Sequence, residues 1–332
     1  MRFFEYHILG DFMLKRMFTK KICLMAAVIF SLTLVYLIPE KPSELEVKQE
    51  LEYVNKEATK SVIYLLDSSN YLARTMVVTT NQEIEKKAKE LLEILIRDGK
   101  GESKIPSGFQ SIISSDTKVK SLKFENGLMK VDFSKELLDT NVDQEEKVIE
   151  AIVYTLTSIE TVDKVIIYVE GEILSKLPKT GIHLPSTLDK SYGINKEYHI
   201  SSYKDINKVT VYYVSKYNDD TYYVPVTKYL NDDRDKIKII VDELAGSYLY
   251  SNSLMSFLNN NTLLLSSEIN DNALSLVFNQ YILNDQTSRN ILEEVIYTIS
   301  LSVGANYEVD QVIFNVEDEE ICKSVIKTIE NF

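Results

Sequence analysis

Three observations predict an α+β protein made of two tandem copies of one small domain. Residues 118–134 (KVKSLKFENGLMKVDFS) alternate apolar and polar side chains about Asn126-Gly127. That dipeptide strongly favours a two-residue hairpin turn, because both central positions need φ > 0. The pattern returns without a gap at residues 263–279 (LLLSSEINDNALSLVFN). Leu274, Leu276 and Phe278 there replace Met129, Val131 and Phe133, and Asp271-Asn272 replaces the turn. Finally, VDKVIIYVE at 162–170 recurs as VDQVIFNVE at 309–317, so one supersecondary unit is used twice. Each copy reads strand(s), helix, hairpin, helix, strand, with both helices on one face of a sheet. One N-terminal transmembrane helix precedes them.

Composition sets the limits. The 332 residues have room for two domains of about 100–150 residues each. Hydrophobic content of 45% and charged content of 26% are those of a globular protein. A net charge of −13 speaks against nucleic acid, which needs a concentrated Lys/Arg surface, and fits a soluble, self-repelling surface. Cys23 and Cys322 are too few and too far apart to frame a disulfide scaffold and are read as incidental. The 21 tyrosines cluster in strand-like runs such as Val211-Tyr212-Tyr213-Val214 and Tyr222-Tyr223-Val224.

Residues 1–21 carry Arg2, Lys15, Arg16, Lys20 and Lys21 and are expected to stay in the cytoplasm. Residues 22–38 (ICLMAAVIFSLTLVYLI) are free of charge, at about the 17-residue lower limit of a membrane span. No small-x-small cleavage site follows, so an uncleaved signal anchor is expected, with a cleaved signal peptide as the alternative. Cys23 precedes its apolar run, which is the wrong order for a lipidated cysteine. Met13 and Met17 remain open as start sites. Residues 39–60 form a charged tether.

The first domain, 61–171, begins with extended runs at 61–66 and 72–79. Ile84, Ala88, Leu91, Leu92 and Leu95 then form one stripe at period 3.6, with Thr80 and Glu83 at capping-box spacing and Gly99 and Gly101 beyond the end. After the hairpin, Val148, Ile152, Thr155, Leu156 and Ile159 repeat those offsets, and KVIIYVE at 164–170 reads as a buried closing strand. Residues 172–206 form a connector whose apolar residues, among them Leu177, Leu188 and Ile194, predict that it packs against the domains. The second domain, 207–320, repeats the order from the strands at 209–214 and 222–227. Ile237, Ile240, Val241 and Leu244 form its first stripe, and Ile291, Val295, Thr298 and Ile299 are matched to Val148, Ile152, Thr155 and Leu156. Residues 321–332 are left as a C-terminal tail.

The residues carry little chemistry. His7, His183 and His199 lie before the span or in the connector, so neither a metal site nor acid/base work is expected. There is no G-x-S-x-G turn and no glycine-rich phosphate loop. Asn231, Asp233 and Asp235 alternate like a calcium loop, but Lys236 stands where the loop needs glycine; the cluster is read as capping the next helix. Asp132 has Val277 as its counterpart, so the repeat demands no carboxylate there. No catalytic, cofactor-binding or metal residue is therefore assigned. Exposed strand edges and tyrosines point to a binding or assembly module.

The runs AKELLEIL (88–95), VKSLKFENGLMKVDFS (119–134), IVYTLT (152–157) and VIIYVEG (165–171) together resemble the GerMN domain of GerM-like proteins of spore-forming bacteria. The likeness spans residues 61–320 as two tandem copies. It is looser in the second, where Asn279 replaces Ser134, Val277 replaces Asp132 and Asp318 replaces Gly171. The resemblance implies a non-enzymatic protein of sporulation and germination with ring-building-motif-like domains. It also implies protein partners in a membrane complex joining mother cell and forespore, no cofactor and no small-molecule substrate. The family often carries a lipoprotein signal, from which the expected anchor departs. The alternative function is an envelope module that binds cell wall or a lipoprotein partner, unrelated to sporulation.

Overall fold

The computed structural model describes residues 59–246, 253–285 and 287–329, together with Leu24, Met25, Val28 and Ile29. The expected membrane span at 22–38 lies, but for those four residues, outside the described residues. Among the described residues no helix is long and apolar enough to cross a membrane. Residues from 59 onward belong to one compact unit.

Strands β1 (Thr59–Asp67) and β2 (Leu72–Thr79) pair antiparallel around a turn shaped by Asp67, whose Oδ1 accepts from Ser69 N and Tyr71 N at 2.9 and 2.8 Å. Helix α1 (Ile84–Leu95) buries Ala88, Leu91, Leu92 and Leu95, and Ile94 besides. The expected capping box does not form. The N-cap is Glu83 itself, without a side-chain bond, so Thr80 stands outside the helix. Thr80 N and Oγ1 donate instead to the Glu90 carboxylate at 3.1 and 3.3 Å, a group that also binds Asn81 and Lys104.

After β3 (Phe109–Gln110) comes the hairpin of β4 (Val119–Glu125) and β5 (Leu128–Phe133). Asn126 and Gly127 take φ of +49° and +78°, the left-handed conformation that the dipeptide announces. Met129, Val131 and Phe133 are fully buried. Helix α2 (Val142–Leu156) crosses over to β6 (Lys164–Val169), which runs parallel to β5, and β7 (Glu172–Ile173) closes the sheet β4-β5-β6-β7. The β6 run is thus neither last nor buried on both faces: Val165 and Ile167 point inward while Ile166 and Tyr168 are half-buried.

The connector packs as expected, with Leu177, Leu184, Leu188 and Ile194 in the first core, and adds β8 (Glu197–His199). The second repeat follows as β9 (Ile206–Tyr217), β10 (Asp220–Asn231), α3 (Lys236–Gly246), β11 (Leu264–Asn270), β12 (Ala273–Phe278), α4 (Glu293–Asn306) and β13 (Gln311–Val316). Strand β14 (Glu319–Val325) and the turn-length helix α5 (Ile326–Ile329) complete it. Residues 321–329 are therefore no tail: β14 pairs with β13, Cys322 is half-buried on it and Ile326 enters the core.

Helices α2 and α4 depart from the expected single covered face. From Val148 to Leu156 every residue of α2 is buried, and from Thr298 to Val303 every residue of α4. Helices α1 and α3 keep solvent-facing residues such as Lys86, Lys89, Lys238 and Asp242, while α2 and α4 lie between two sheets, the four-stranded sheet of their own repeat and the sheet of β1, β2, β9 and β10. A helix covered on both sides has no solvent stripe.

Tyr64 N on β1 donates to Thr155 Oγ1 at 3.1 Å, and Tyr212 N on β9 donates to Ser302 Oγ at 2.8 Å. Ser302, not Thr298, is thus the structural counterpart of Thr155, so the match across the second helix pair moves by one turn. Both bonds also cap an open strand edge with a helix side chain.

Candidate interaction site at the seam between the repeats

The two opening hairpins share one sheet. β9 pairs along the whole of β10, whose other side takes β2 at Tyr223 opposite Arg74 and β8, in parallel, at residues 228–230. In that antiparallel register Leu72 falls opposite Pro225. Proline has no N–H, so the ladder lacks a donor there.

The connector supplies it. Asn195 Nδ2 donates to Leu72 O and Pro225 O, both at 2.8 Å, and Asn195 Oδ1 accepts from Leu72 N at 2.9 Å. Its backbone at φ +47° is a left-handed position that asparagine tolerates. One buried amide thus makes three hydrogen bonds where the Leu72–Pro225 pair cannot close its ladder. Next to it Ile194 N donates to Thr227 Oγ1 and Thr227 N to Ile194 O, each at 2.9 Å.

Further along the seam, Tyr64 and Tyr212 join their hydroxyls at 3.0 Å in a buried contact between corresponding residues of the two repeats. Tyr222 OH donates to Asp67 Oδ2 at 3.0 Å, and its ring meets Phe109 edge-on at 4.9 Å. Burial pushes the Tyr222 phenol up to about 12. Gly108, at φ +88°, lies under the Tyr217 ring, where a Cβ would come within 2.4 Å.

Behind Asn195 sits the most perturbed carboxylate of the seam. Glu150 Oε2 accepts from Asn195 N at 2.9 Å, and Lys196 Nζ lies 3.6 Å from Oε1 while also pairing with Glu146 at 2.6 Å. Burial lifts the Glu150 carboxyl to about 7 against the pull of Lys196. Because the folded state holds this proton more tightly than the unfolded chain, the contribution of Glu150 to stability is full below the ordinary 4.5 and is lost as pH rises through about 7. Glu150→Gln is expected to remove about 2–3 kcal/mol of that decline between about pH 5 and about pH 8, read from urea midpoints at the two pH values. An unchanged decline in the variant would contradict this assignment.

A cleft of about 820 Å³ opens beside the tyrosine pair. Lys60, Lys87 and Lys327 line it together with Glu160, Asp163 and Asp310, and Lys327 pairs with Glu160 at 2.6 Å. Its mixed charges select no single sign of ligand.

The polar residues weighed in the sequence are engaged in shaping loops. Asp132 Oδ1 accepts from Gly171 N at 3.0 Å. Asn231 Oδ1 accepts from Ser201 N and Ser202 N at 2.7 and 3.0 Å, which fastens the connector loop. Asp235 receives Ile237 N at 3.3 Å and the Tyr307 hydroxyl, at the start of α3. His183 and His199 are exposed, and His199 Nε2 lies 3.2 Å from Glu197 Oε2. His7 and Cys23 lie outside the described residues. Among the described residues, no group of three or more His, Cys, Asp or Glu could hold a metal ion. Asn195 was not foreseen; the signal available was Pro225, a missing donor inside a β-branched run.

Two α+β repeats fused through a shared sheet define a tandem-repeat protein. The model of the Germane family, sporulation and spore germination, matches it twice, at residues 62–175 and 210–322. The chain belongs to that family. It is 31% identical over 260 residues, 76% of this chain and 70% of the relative, to the spore germination protein GerM of Bacillus subtilis (strain 168). The solved tandem GerMN domains of the sporulation protein GerM from Bacillus subtilis superpose with a TM-score of 0.72 at 27% identity, covering 79% of this chain and 92% of that one.

Proposed function

We propose that this sporulation and germination protein is a non-enzymatic scaffold, anchored in the membrane by residues 22–38 with its repeats outside the cytoplasm. Its partners are proteins of a complex that joins mother cell and forespore across their intermembrane space, and it takes no cofactor or small-molecule substrate. The observation that carries this reading is the likeness to GerM through both repeats. It is supported by the shared sheet that joins the two repeats in one compact unit. Deleting the gene in its spore-forming host is expected to lower the count of germinating spores, and restoring the full chain to recover it. Unchanged counts would leave the envelope-module reading in its place. N-terminal sequencing of the membrane-bound protein tests the anchor, since cleavage would remove residues 1–38.

A further inference from the structure

The connector adds one strand to the shared sheet and leaves its outer side open. β8 lies outermost beyond β10, to which it runs parallel. Thr227 N donates to Ile194 O, so alternation along β10 turns the N–H and C=O of Tyr229 toward β8 as well. In a parallel ladder Tyr229 bonds the two neighbours of its partner Tyr198, and the N–H and C=O of Tyr198 point outward. Among the described residues no other element bonds to either group. No lysine or proline closes this edge, since Lys196 before it is buried against Glu146.

The two faces of the edge differ in chemistry. On one, Tyr198 is 61% exposed and stacks on Tyr229 at 4.8 Å between centroids. On the other, His199 borders a groove of about 290 Å³ that holds Asp232, Asp242 and Glu243. Two cations serve four carboxylates there: Asp232 and Asp242 share Arg234, and Glu243 and Glu197 share Lys228. That face keeps an excess of negative charge.

We propose that β8 receives an extended segment of a partner protein in which apolar residues alternate with lysine or arginine. The residue opposite Tyr198 lies on the same face and packs on its ring, while its two neighbours project toward Glu197 and the acidic groove. Main-chain bonds to Tyr198 supply affinity, and the alternating side chains supply selection. The negative face turns away anionic lipid, and it turns away a second copy of a chain whose net charge is −13. This contact deepens the scaffold role proposed above by naming the chemistry of a partner. Spore counts test that role and peptide binding tests the edge, so either can fail without the other.

The test is isothermal titration of the full chain in detergent with a short acetylated peptide that alternates valine and lysine. Saturable binding is expected, and it is expected to weaken about tenfold or more when glutamate replaces lysine in the peptide. Tyr198→Ala is expected to cost a similar factor, because it removes the ring on which the peptide packs. The side chain is exposed, and an unchanged melting temperature verifies that the variant folds. Hydrogen exchange is expected to slow at the Tyr198 amide in the complex, which separates strand addition from loose charge attraction. No binding, equal binding of the glutamate peptide, full binding by Tyr198→Ala, or slowed exchange only elsewhere on the chain would overturn the proposal. Binding of soluble glycan strands in place of the peptide, or self-association that Tyr198→Ala abolishes, would give the edge another occupant and overturn it too.

Discussion

Asn195→Ala is expected to destabilise the folded chain by about 3–5 kcal/mol, measured by urea unfolding. The substitution leaves Leu72 N, Leu72 O and Pro225 O buried without partners, and proline cannot close the gap with a donor of its own. Each such orphan costs about 1–3 kcal/mol, discounted because the groups share one site. Part of the loss comes from holding alanine at φ +47°. Asn195→Gly, which accepts that φ, isolates the hydrogen-bond share. Asn195→Asp keeps the acceptor, loses both donors and sets a second carboxylate against Glu150, so it is expected to be no better than alanine. A cost below about 1 kcal/mol for alanine would show that the seam does not rest on this amide.

Truncating the core phenylalanines is the second large effect. Phe133→Ala and Phe278→Ala are each expected to cost about 3–5 kcal/mol, from lost burial and the cavity left behind. Both side chains are fully buried, and Phe278 also stacks on Phe314 at 6.3 Å between centroids. Asp132→Asn, one residue from Phe133, is the internal contrast: its bond to Gly171 N is exposed, so the expected change is within about 0.5 kcal/mol. Urea midpoints of the three variants check the order.

The hairpins were legible because their signals are local. Asn126-Gly127 demands its turn chemistry, and period-2 alternation assigns Met129, Val131 and Phe133 to the core. The packed connector was legible from its apolar content. The helix match failed for a physical reason: a stripe at period 3.6 is nearly unchanged by a shift of four residues, so Thr298 and Ser302 occupy the same face. Carrying the match of 162–170 with 309–317 back without a gap sets Thr155 against Ser302, as does the bond from Tyr212 N. One-sided helices were expected because the stripes omitted Ile149 and Val153 on α2, both buried in a helix that also packs on β1 of the other sheet, and Ile94 on α1, which the segment around Gly101 and Ser111 covers. The shared sheet rests on pairing between distant strands, to which no local pattern points. A tail was read at 321–332 because β14 mixes polar and apolar residues, as an edge strand does.

The central claim is that the two repeats form a single body through β2, β10 and Asn195. Hydrogen exchange of the full chain, followed by mass spectrometry through a urea series, tests it most directly. The amides of β5 in the first repeat and β12 in the second are expected to lose protection at one shared midpoint, and Asn195→Ala to split that midpoint in two. Separate midpoints for β5 and β12 in the wild type would contradict the account.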